Sequence, residues 1–235
     1  MKAVVYTDYG PPDVLRVEEV EKPASNENQV LIRVHAASVN AQDYRVRKGK
    51  PFLARPVIGG ILKPKNTRIG SDFAGRVEAV GENVKQFQPG EEVFGCRNGA
   101  FAEYVCAREG ALVLKPANIS YEQAAAVPVA ALTALQGLRD AGGIMPGQKV
   151  LIQGASGGVG TFAVQLAKSY GAEVTAVSST RNLNMARSIG ADHVIDYTRE
   201  DFTQAGRRYD LILAVNGYHS LFAYRRALSP QGNYV

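Results

Sequence analysis

The stretch that most constrains this chain is Lys149-Val-Leu-Ile-Gln-Gly-Ala-Ser-Gly-Gly-Val-Gly160, together with the helical pattern after it. Val150, Leu151 and Ile152 form a short apolar run with β-branched residues, the pattern of a strand buried on both faces. Gly154, Gly157, Gly158 and Gly160 come next, and Thr161-Phe-Ala-Val-Gln-Leu-Ala-Lys168 then reads as a helix that Gly171 stops. Strand, glycine turn and helix make the context that a dinucleotide fingerprint requires. Here the pattern is Ala155-x-Gly157-x-x-Gly160, with alanine in place of the first glycine. At Gly157 the missing Cβ lets backbone approach a pyrophosphate, and at Gly160 it lets the helix pack close to the strand. The helix N-terminus offers unpaired N–H groups and partial positive charge, so Gly154, Ala155, Ser156, Gly157, Gly158, Val159 and Gly160 are the expected phosphate-binding segment. The alternative is an ordinary strand-to-helix turn.

With 235 residues the chain has room for two domains. A hydrophobic content of 46% and a charged content of 21% are those of a globular protein rather than a disordered one. The formal charge of +5 is spread in short basic clusters, most of them solvated faces. Only Arg45/Arg47/Lys48/Lys50 and Lys63/Lys65/Arg68 could meet an anionic ligand. The basic residues lack interleaved aromatics on a strand platform, so nucleic acid is not an expected partner. No run approaches the roughly 18 apolar residues of a membrane span, and the N-terminus is too short an apolar run for a signal peptide. The two cysteines, Cys96 and Cys106, are therefore expected as free thiols in a reducing cytoplasm, and Asn118-Ile-Ser120 as a chance match to a glycosylation acceptor.

The first half is strand-rich, with runs at 3–6, 15–17, 29–38, 73–80, 92–94, 100–106 and 111–115 punctuated by Gly, Pro, Asn and Asp. Such a series predicts a barrel or sandwich. The exception runs from Asn40 to Gly70, a short helix followed by a long glycine- and proline-rich loop of the kind that is usually functional. Ser120-Tyr-Glu-Gln123 is a capping-box pattern, and a second helix is expected from Pro128 to Leu138. From Lys149 strands (150–153, 173–178, 193–196, 210–215) alternate with helices (to 170, 181–189, a polar one near 199–205, 218–228), and a fifth strand starts at Gly232. That alternation predicts a doubly wound parallel sheet. The domains are accordingly expected at 1–117 and 118–235, the second stopping at five strands where dinucleotide domains use six.

The chain resembles the medium-chain dehydrogenase/reductase superfamily, specifically its zinc-independent quinone oxidoreductase branch. The resemblance rests on 37–44, Gly70-Ser-Asp-Phe-Ala-Gly-Arg-Val-Glu-Ala-Val-Gly81, Gly99-Ala-Phe-Ala-Glu-Tyr-Val105, 131–134, 154–160 and Gly190-Ala-Asp-His-Val-Ile-Asp-Tyr197. It implies an α/β fold class with a β-rich N-terminal part: a GroES-like barrel, then a Rossmann domain, with the active site between them. It also implies a longer family chain, so that this one looks C-terminally truncated, lacking its sixth strand and its return to the barrel, and a possible homodimer in the full-length form. The segment Cys96-Arg-Asn-Gly99 is shorter than the family's glycine-rich connection.

Zinc-dependent members of the superfamily carry a Cys near position 40 and a Gly-His-Glu where this chain has Gly70-Ser71-Asp72. No Cys lies in 39–43, and His35, His193 and His219 lack ligand spacing. No metal is expected, and Asp72 is read as a turn residue. Without a Lewis acid, acceptors that take hydride readily are favoured: quinones, or C=C bonds conjugated to a carbonyl.

The end of the second Rossmann strand, Val177-Ser-Ser-Thr-Arg-Asn182, lacks the acid that holds the ribose 2′-OH in an NAD site. Ser178, Ser179 and Arg181 can bind a 2′-phosphate instead, which predicts NADPH; the alternative is that Arg181 is simply exposed at a helix start. The resemblance adds Asn182 and Tyr197 beside that phosphate. At the nicotinamide end it points to Asn40, Thr133 and the strand end with Asn216 and Gly217, although a helical threonine can equally bond its own backbone. Asp43 and Tyr44 are expected in the same cleft, Tyr44 as proton donor or ring-stacking partner, or as packing, with solvent as the alternative source of the proton. The functional expectation is NADPH-dependent hydride transfer to a quinone. The alternatives are an enone or alkenal reductase and, in another class, a truncated nucleotide-binding or structural protein without turnover.

Overall fold

The computed structural model describes residues 1–58 and 60–235. Its contacts divide the chain into two compact units, Met1–Val129 and Ala130–Val235.

In the first unit, β1 (Lys2–Val5) and β2 (Arg16–Glu19) form an antiparallel ribbon. The main sheet holds β3 (Gln29–Ser38), β4 (Asp72–Val80), β5 (Glu92–Cys96), β6 (Tyr104–Arg108) and β7 (Leu112–Leu114), in the order β6-β3-β4-β5-β7 and antiparallel throughout. Val30, Ile32, Phe73, Val77, Val93 and Leu112 bury their side chains together inside it. Gly75 lies where a Cβ would come within 2.1 Å of the Arg33 carbonyl oxygen, beside the irregular register between β3 and β4. The strand expected at 100–106 starts four residues later. Residues 100–103 change partner instead: Val4 N donates to Phe101 O, Phe101 N to Ile69 O and Glu103 N to Lys2 O.

Between β3 and β4 the chain forms α1 (Ala41–Lys48), a single 3-10 turn at Phe52–Ala54 and the short α2 (Arg55–Ile58). The long loop expected here thus contains a further helical turn; Gly59 lies outside the described residues. After β7 comes α3 (Tyr121–Ala125), closed by the expected capping box, with Gln123 N donating to Ser120 Oγ and Ser120 N to Gln123 Oε1. Ala124 and Ala125 of α3 pack on Ala74.

The chain passes into the second unit along α4 (Pro128–Leu135), which continues to Ala141 in wider turns. There β8 (Lys149–Gln153), β9 (Glu173–Ser178), β10 (His193–Asp196), β11 (Tyr209–Ala214) and β12 (Leu228–Tyr234) make a parallel sheet ordered β10-β9-β8-β11-β12. It is the doubly wound arrangement that the alternation predicts. Successive side chains point to opposite faces, so Val150 and Ile152 join one core with Val164 and Ala167, while Leu151 joins another with Ile195, Ile212 and Tyr224. The helices are α5 (Gly158–Ser169), α6 (Leu183–Ser188) and α7 (Leu221–Ala227).

The polar helix expected near 199–205 does not form. Arg199 N and Glu200 N both donate to Asp196 O, and Asp201 Oδ1 accepts from Thr203 N and Oγ1, so local side-chain bonds hold this segment in turns. The fifth strand begins at Leu228 rather than Gly232, with a register irregularity against β11.

Candidate active site and cofactor cradle

The cradle forms where β8 turns into α5. The positive φ this turn needs falls on Gly154 (φ 80°), and Ala155, at the first motif position, has ordinary backbone. That is why alanine is tolerated there. Gly154 N and Ala155 N both donate to Val177 O, and Gly157 N donates to Gly154 O. A Cβ on Gly160 would lie 2.1 Å from Gly154 O and 2.7 Å from Ala155 Cα, so this glycine is fixed by packing of helix on turn. Gly157 differs: a Cβ there would meet only Gly154 O, at 3.6 Å. Gly157 caps α5 without a side-chain bond and no acid occupies the first turn, so the N–H groups of Gly158, Val159 and Gly160 come before the helix's first backbone donor, Thr161 N, which bonds Gly157 O. Ser156 and Val159 are half-buried beside them.

At the carboxyl ends of β8 and β9, Gln153 Nε2 and Ser178 Oγ are buried and, among the described residues, have no hydrogen-bond partner. The orphaned Ser178 hydroxyl next to the glycine cradle fits a polyanionic nucleotide, since a buried donor left unpaired costs about 1–3 kcal/mol. Gln153 instead shares the other face with Leu151, and its Oε1 accepts from Tyr224. Asn216 follows β11, and its Cβ lies 3.1 Å from where a Gly154 Cβ would be. The sheet thus brings Gly154 and Asn216 together, with Gly217 next in chain. Thr133 is exposed on α4.

The turn after β9 carries Ser179, Arg181 and Asn182 in one 3-10 helix, Thr180–Asn182. Asn182 Nδ2 donates to Ser179 Oγ (3.3 Å), and Arg181 is exposed, with no acceptor for its guanidinium among the described residues. Tyr197 N donates to Ser178 O, which sets the Tyr197 backbone beside the end of β9, and its half-exposed ring meets Tyr218 edge-on at 6.2 Å. Sequence reasoning missed one member, Asp196 at the end of β10. Its carboxylate accepts from Thr180 Oγ1 and from Thr198 N and Oγ1, with Arg199 Nε at 3.6 Å. The Thr180 and Thr198 hydroxyls, then the Arg199 charge, hold it below the ordinary carboxylate value. Asp196 is thus spent in fixing the turn that presents Arg181. The signal was present in Gly190–Tyr197, but only pairing of β10 with β9 carries the acid to that turn.

In the first unit a second polar cluster surrounds Asn40, which caps α1. Asp43 Oδ2 accepts from Asn40 N (2.7 Å) and Asp43 Oδ1 from Ser71 Oγ (3.2 Å). Asp72 is fully buried, and its carboxylate accepts from Asn40 Nδ2 (3.1 Å), Ser38 Oγ (3.3 Å) and Val129 N (3.1 Å). Burial raises both carboxyls above the ordinary value, against the hydrogen bonds that lower them. Burial and the Asp72 carboxylate push the neighbouring Cys96 thiol up to about 11. Asp72 is therefore more than a turn residue: it holds the side chain of Asn40, while Asp43 holds its backbone. Tyr44 is half-exposed and its hydroxyl accepts from Lys48 Nζ, a contact that lowers the phenol. Among the described residues, no group of three or more His, Cys, Asp or Glu side chains is placed to hold a metal ion.

Residues 26–117 match the family described as Alcohol dehydrogenase GroES-like domain, and residues 158–235 the family described as Zinc-binding dehydrogenase. A solved quinone oxidoreductase from Coxiella burnetii superposes on 100% of this chain and 74% of its own, at 35% identity and a TM-score of 0.90. The chain belongs to the quinone oxidoreductase-like branch of the medium-chain dehydrogenase/reductase superfamily. Among curated relatives, the 2-methylene-furan-3-one reductase of Solanum lycopersicum is 42% identical over 225 residues. The NADPH-dependent alkenal/one oxidoreductase, chloroplastic, of Arabidopsis thaliana is 40% identical over 230. These matches cover 90% and 92% of this chain but only 56% and 58% of the two relatives, so the chain spans a little over half their length.

Proposed function

We propose that this chain carries the cofactor cradle and acceptor-site residues of an NADPH-dependent reductase that transfers hydride to a quinone or a similar conjugated carbonyl compound, without zinc. The observation that carries this reading is the pairing of the Gly157 cradle with an acid-free, Asp196-braced turn presenting Arg181. When bound, NADPH supplies the hydride. The chain's residues supply binding and orientation: the α5 N-terminus and Gly157 for the pyrophosphate; Ser178, Ser179, Arg181, Asn182 and Tyr197 for the 2′-phosphate; Thr133, Asn216 and Gly217 for the nicotinamide end. In the first unit, Asp43 and Asp72 hold Asn40 as a preset hydrogen-bonding group, and Tyr44 is the proton donor. The two relatives, one named a 2-methylene-furan-3-one reductase and the other an alkenal/one oxidoreductase, support the second reading, reduction of an enone or alkenal C=C bond.

Absence of zinc is supported by the residues at the family's ligand positions, Gly70-Ser71-Asp72 among them; metal analysis of purified protein is expected to find no stoichiometric zinc. The unpaired cysteines support placement in a reducing compartment, of which the cytoplasm is one. The test of function is a fluorescence titration with NADPH and NADH, then turnover with a quinone and an enone. NADPH-selective binding with turnover is the expected result. Equal affinity for the two nucleotides overturns the cofactor assignment, and binding without turnover leaves a nucleotide-binding protein.

A further inference from the structure

Of the chain's 27 basic residues eight fall between Arg45 and Arg68, and none of its 22 acidic residues does. The rest of the chain is therefore net acidic, 19 against 22, and its excess positive charge sits in this one segment. The cofactor cradle in the second unit uses none of it.

Four large apolar side chains stand out of the same segment: Phe52 (58% exposed), Leu53 (88%), Ile61 (55%) and Leu62 (84%). Scattered exposed apolar residues need no explanation, but these are two adjacent pairs brought side by side. Arg55 joins them. Its guanidinium lies over the Phe52 ring at 4.9 Å, its Nη1 donates to Ile61 O (3.1 Å) and its Nε to Gly49 O (2.9 Å). Tyr9 completes the brace, its ring 4.4 Å from the same guanidinium and its hydroxyl donating to Gly60 O (2.8 Å). The apolar tips are thus held outward by a built scaffold. Arg45, Lys50, Lys63 and Lys65 of the same segment are exposed, and Lys50 and Lys63 lie within two residues of a tip along the chain. The ion pair here, Lys63 with Asp8 at 3.5 Å, is open to solvent.

An apolar tip beside exposed cations has a definite complement. Leu53 and Leu62 need an apolar phase, and the cations beside them need anions; the headgroup–acyl boundary of an anionic bilayer offers both. A nucleic acid answers the cations and leaves the leucines in water. Among the described residues no helix is long and apolar enough to cross a membrane, so the contact is peripheral. We infer that the 45–68 segment docks this protein on membrane surfaces rich in anionic lipid, with Phe52, Leu53, Ile61 and Leu62 entering the interface. This inference stands apart from the reductase reading, and either can fail without the other.

The test is co-sedimentation of the 235-residue protein with vesicles of phosphatidylcholine alone, or of phosphatidylcholine with phosphatidylserine. Binding is expected only with phosphatidylserine and is expected to fall as salt is raised. The exposed double substitution Leu53→Ser with Leu62→Ser should lower the partition coefficient about tenfold or more. Lys63→Glu with Lys65→Glu should lower it about thirtyfold. The chain contains no tryptophan, so Leu53→Trp gives a single reporter whose emission should shift to the blue on anionic vesicles and be quenched by brominated acyl chains. Circular dichroism checks that each variant is folded. Failure to sediment with phosphatidylserine vesicles overturns the inference, as does binding that the serine pair leaves unchanged. Tight duplex DNA binding indifferent to the serine pair would assign the cations to nucleic acid, and self-association abolished by that pair would assign the tips to a second copy; either overturns it.

Discussion

Asp72 Oδ2 accepts a hydrogen bond from Asn40 Nδ2 at 3.1 Å, and this pair joins the start of β4 to the cap of α1. The amide donates also to Ser38 Oγ, so its N–H side is engaged on both sides of the β3–β4 start. A carboxylate buried with three kinds of donor around it is both a positioning device and a titrating liability.

Replacing Asp72 should therefore act on stability and on Asn40 together. Asp72→Ala leaves Val129 N–H, Ser38 and Asn40 without this acceptor and is expected to destabilise by about 3 kcal/mol. Asp72→Asn keeps the volume and one acceptor and should lose about half of that. Because burial raises Asp72 and Asp43 above 3.8, both bind protons more tightly folded than unfolded. Their contribution is full below pH 3.8 and is lost as pH rises through the raised values. Urea unfolding across that window should show this falling limb, and Asp72→Asn should flatten it; an unchanged slope would mean that Asp72 is not the group titrating.

The two glycines of the cradle should separate cleanly. Gly160→Ala forces a Cβ to within 2.1 Å of Gly154 O and is expected to lower the melting temperature severely or prevent folding. Gly157→Ala meets nothing closer than 3.6 Å, so the melting temperature should hold while NADPH affinity falls about tenfold or more, the Cβ occupying space kept for the pyrophosphate. Calorimetric melting and nucleotide titration of both variants decide the matter.

Arg181→Ala should weaken NADPH about 10- to 100-fold and leave NADH nearly unchanged, the loss expected for a charge-assisted fork on a phosphate. Asp196→Ala frees Thr180 and Thr198, loosening the turn without touching the guanidinium. A several-fold drop in the NADPH-to-NADH affinity ratio is expected, with NADH binding retained. Equal losses for both nucleotides would make Asp196 a fold residue only.

Tyr44→Phe should lower kcat about a hundredfold with KM little changed if the phenol delivers the proton. The Lys48 contact and charge lower the Tyr44 phenol below 10, and a general acid works only while protonated, so turnover should fall as pH rises through that lowered value. Lys48→Met removes the cation and should move this limb upward. An unchanged kcat in Tyr44→Phe assigns the proton to solvent.

Much of the architecture was legible because it is written in local periodicity. The apolar run Val150–Ile152 reads as a strand covered on both sides, and Gly160 next to a helical pattern reads as a glycine that lets the helix pack close. The Ser120/Gln123 box marked a helix start from two residues. What local pattern misread was 199–205, where polar spacing suggested a helix and the Asp196 and Asp201 carboxylates instead accepted from the backbone N–H groups of Thr198 and Thr203. The start of β6 was misplaced for a related reason: residues 100–103 satisfy their backbone on β1 and on Ile69, a partner about 30 residues back in the chain.

By itself, then, the sequence determined the element order, the parallel alternation of the second unit, the glycine cradle and the acid-free turn, since each depends on residues within a few positions of one another. Only the tertiary structure decided which carboxylates serve the sites. Asp72 reaches Asn40 because β3 and β4 pair antiparallel, and Asp196 reaches Thr180 because β10 lies beside β9. The two exposed apolar pairs, separate in sequence, became one patch because Arg55 stacks on one and bonds the other. Hydrogen bonds and burial are set by distance in space, and the chain folds distant residues to within about 3 Å of each other in ways that no spacing rule along the sequence records.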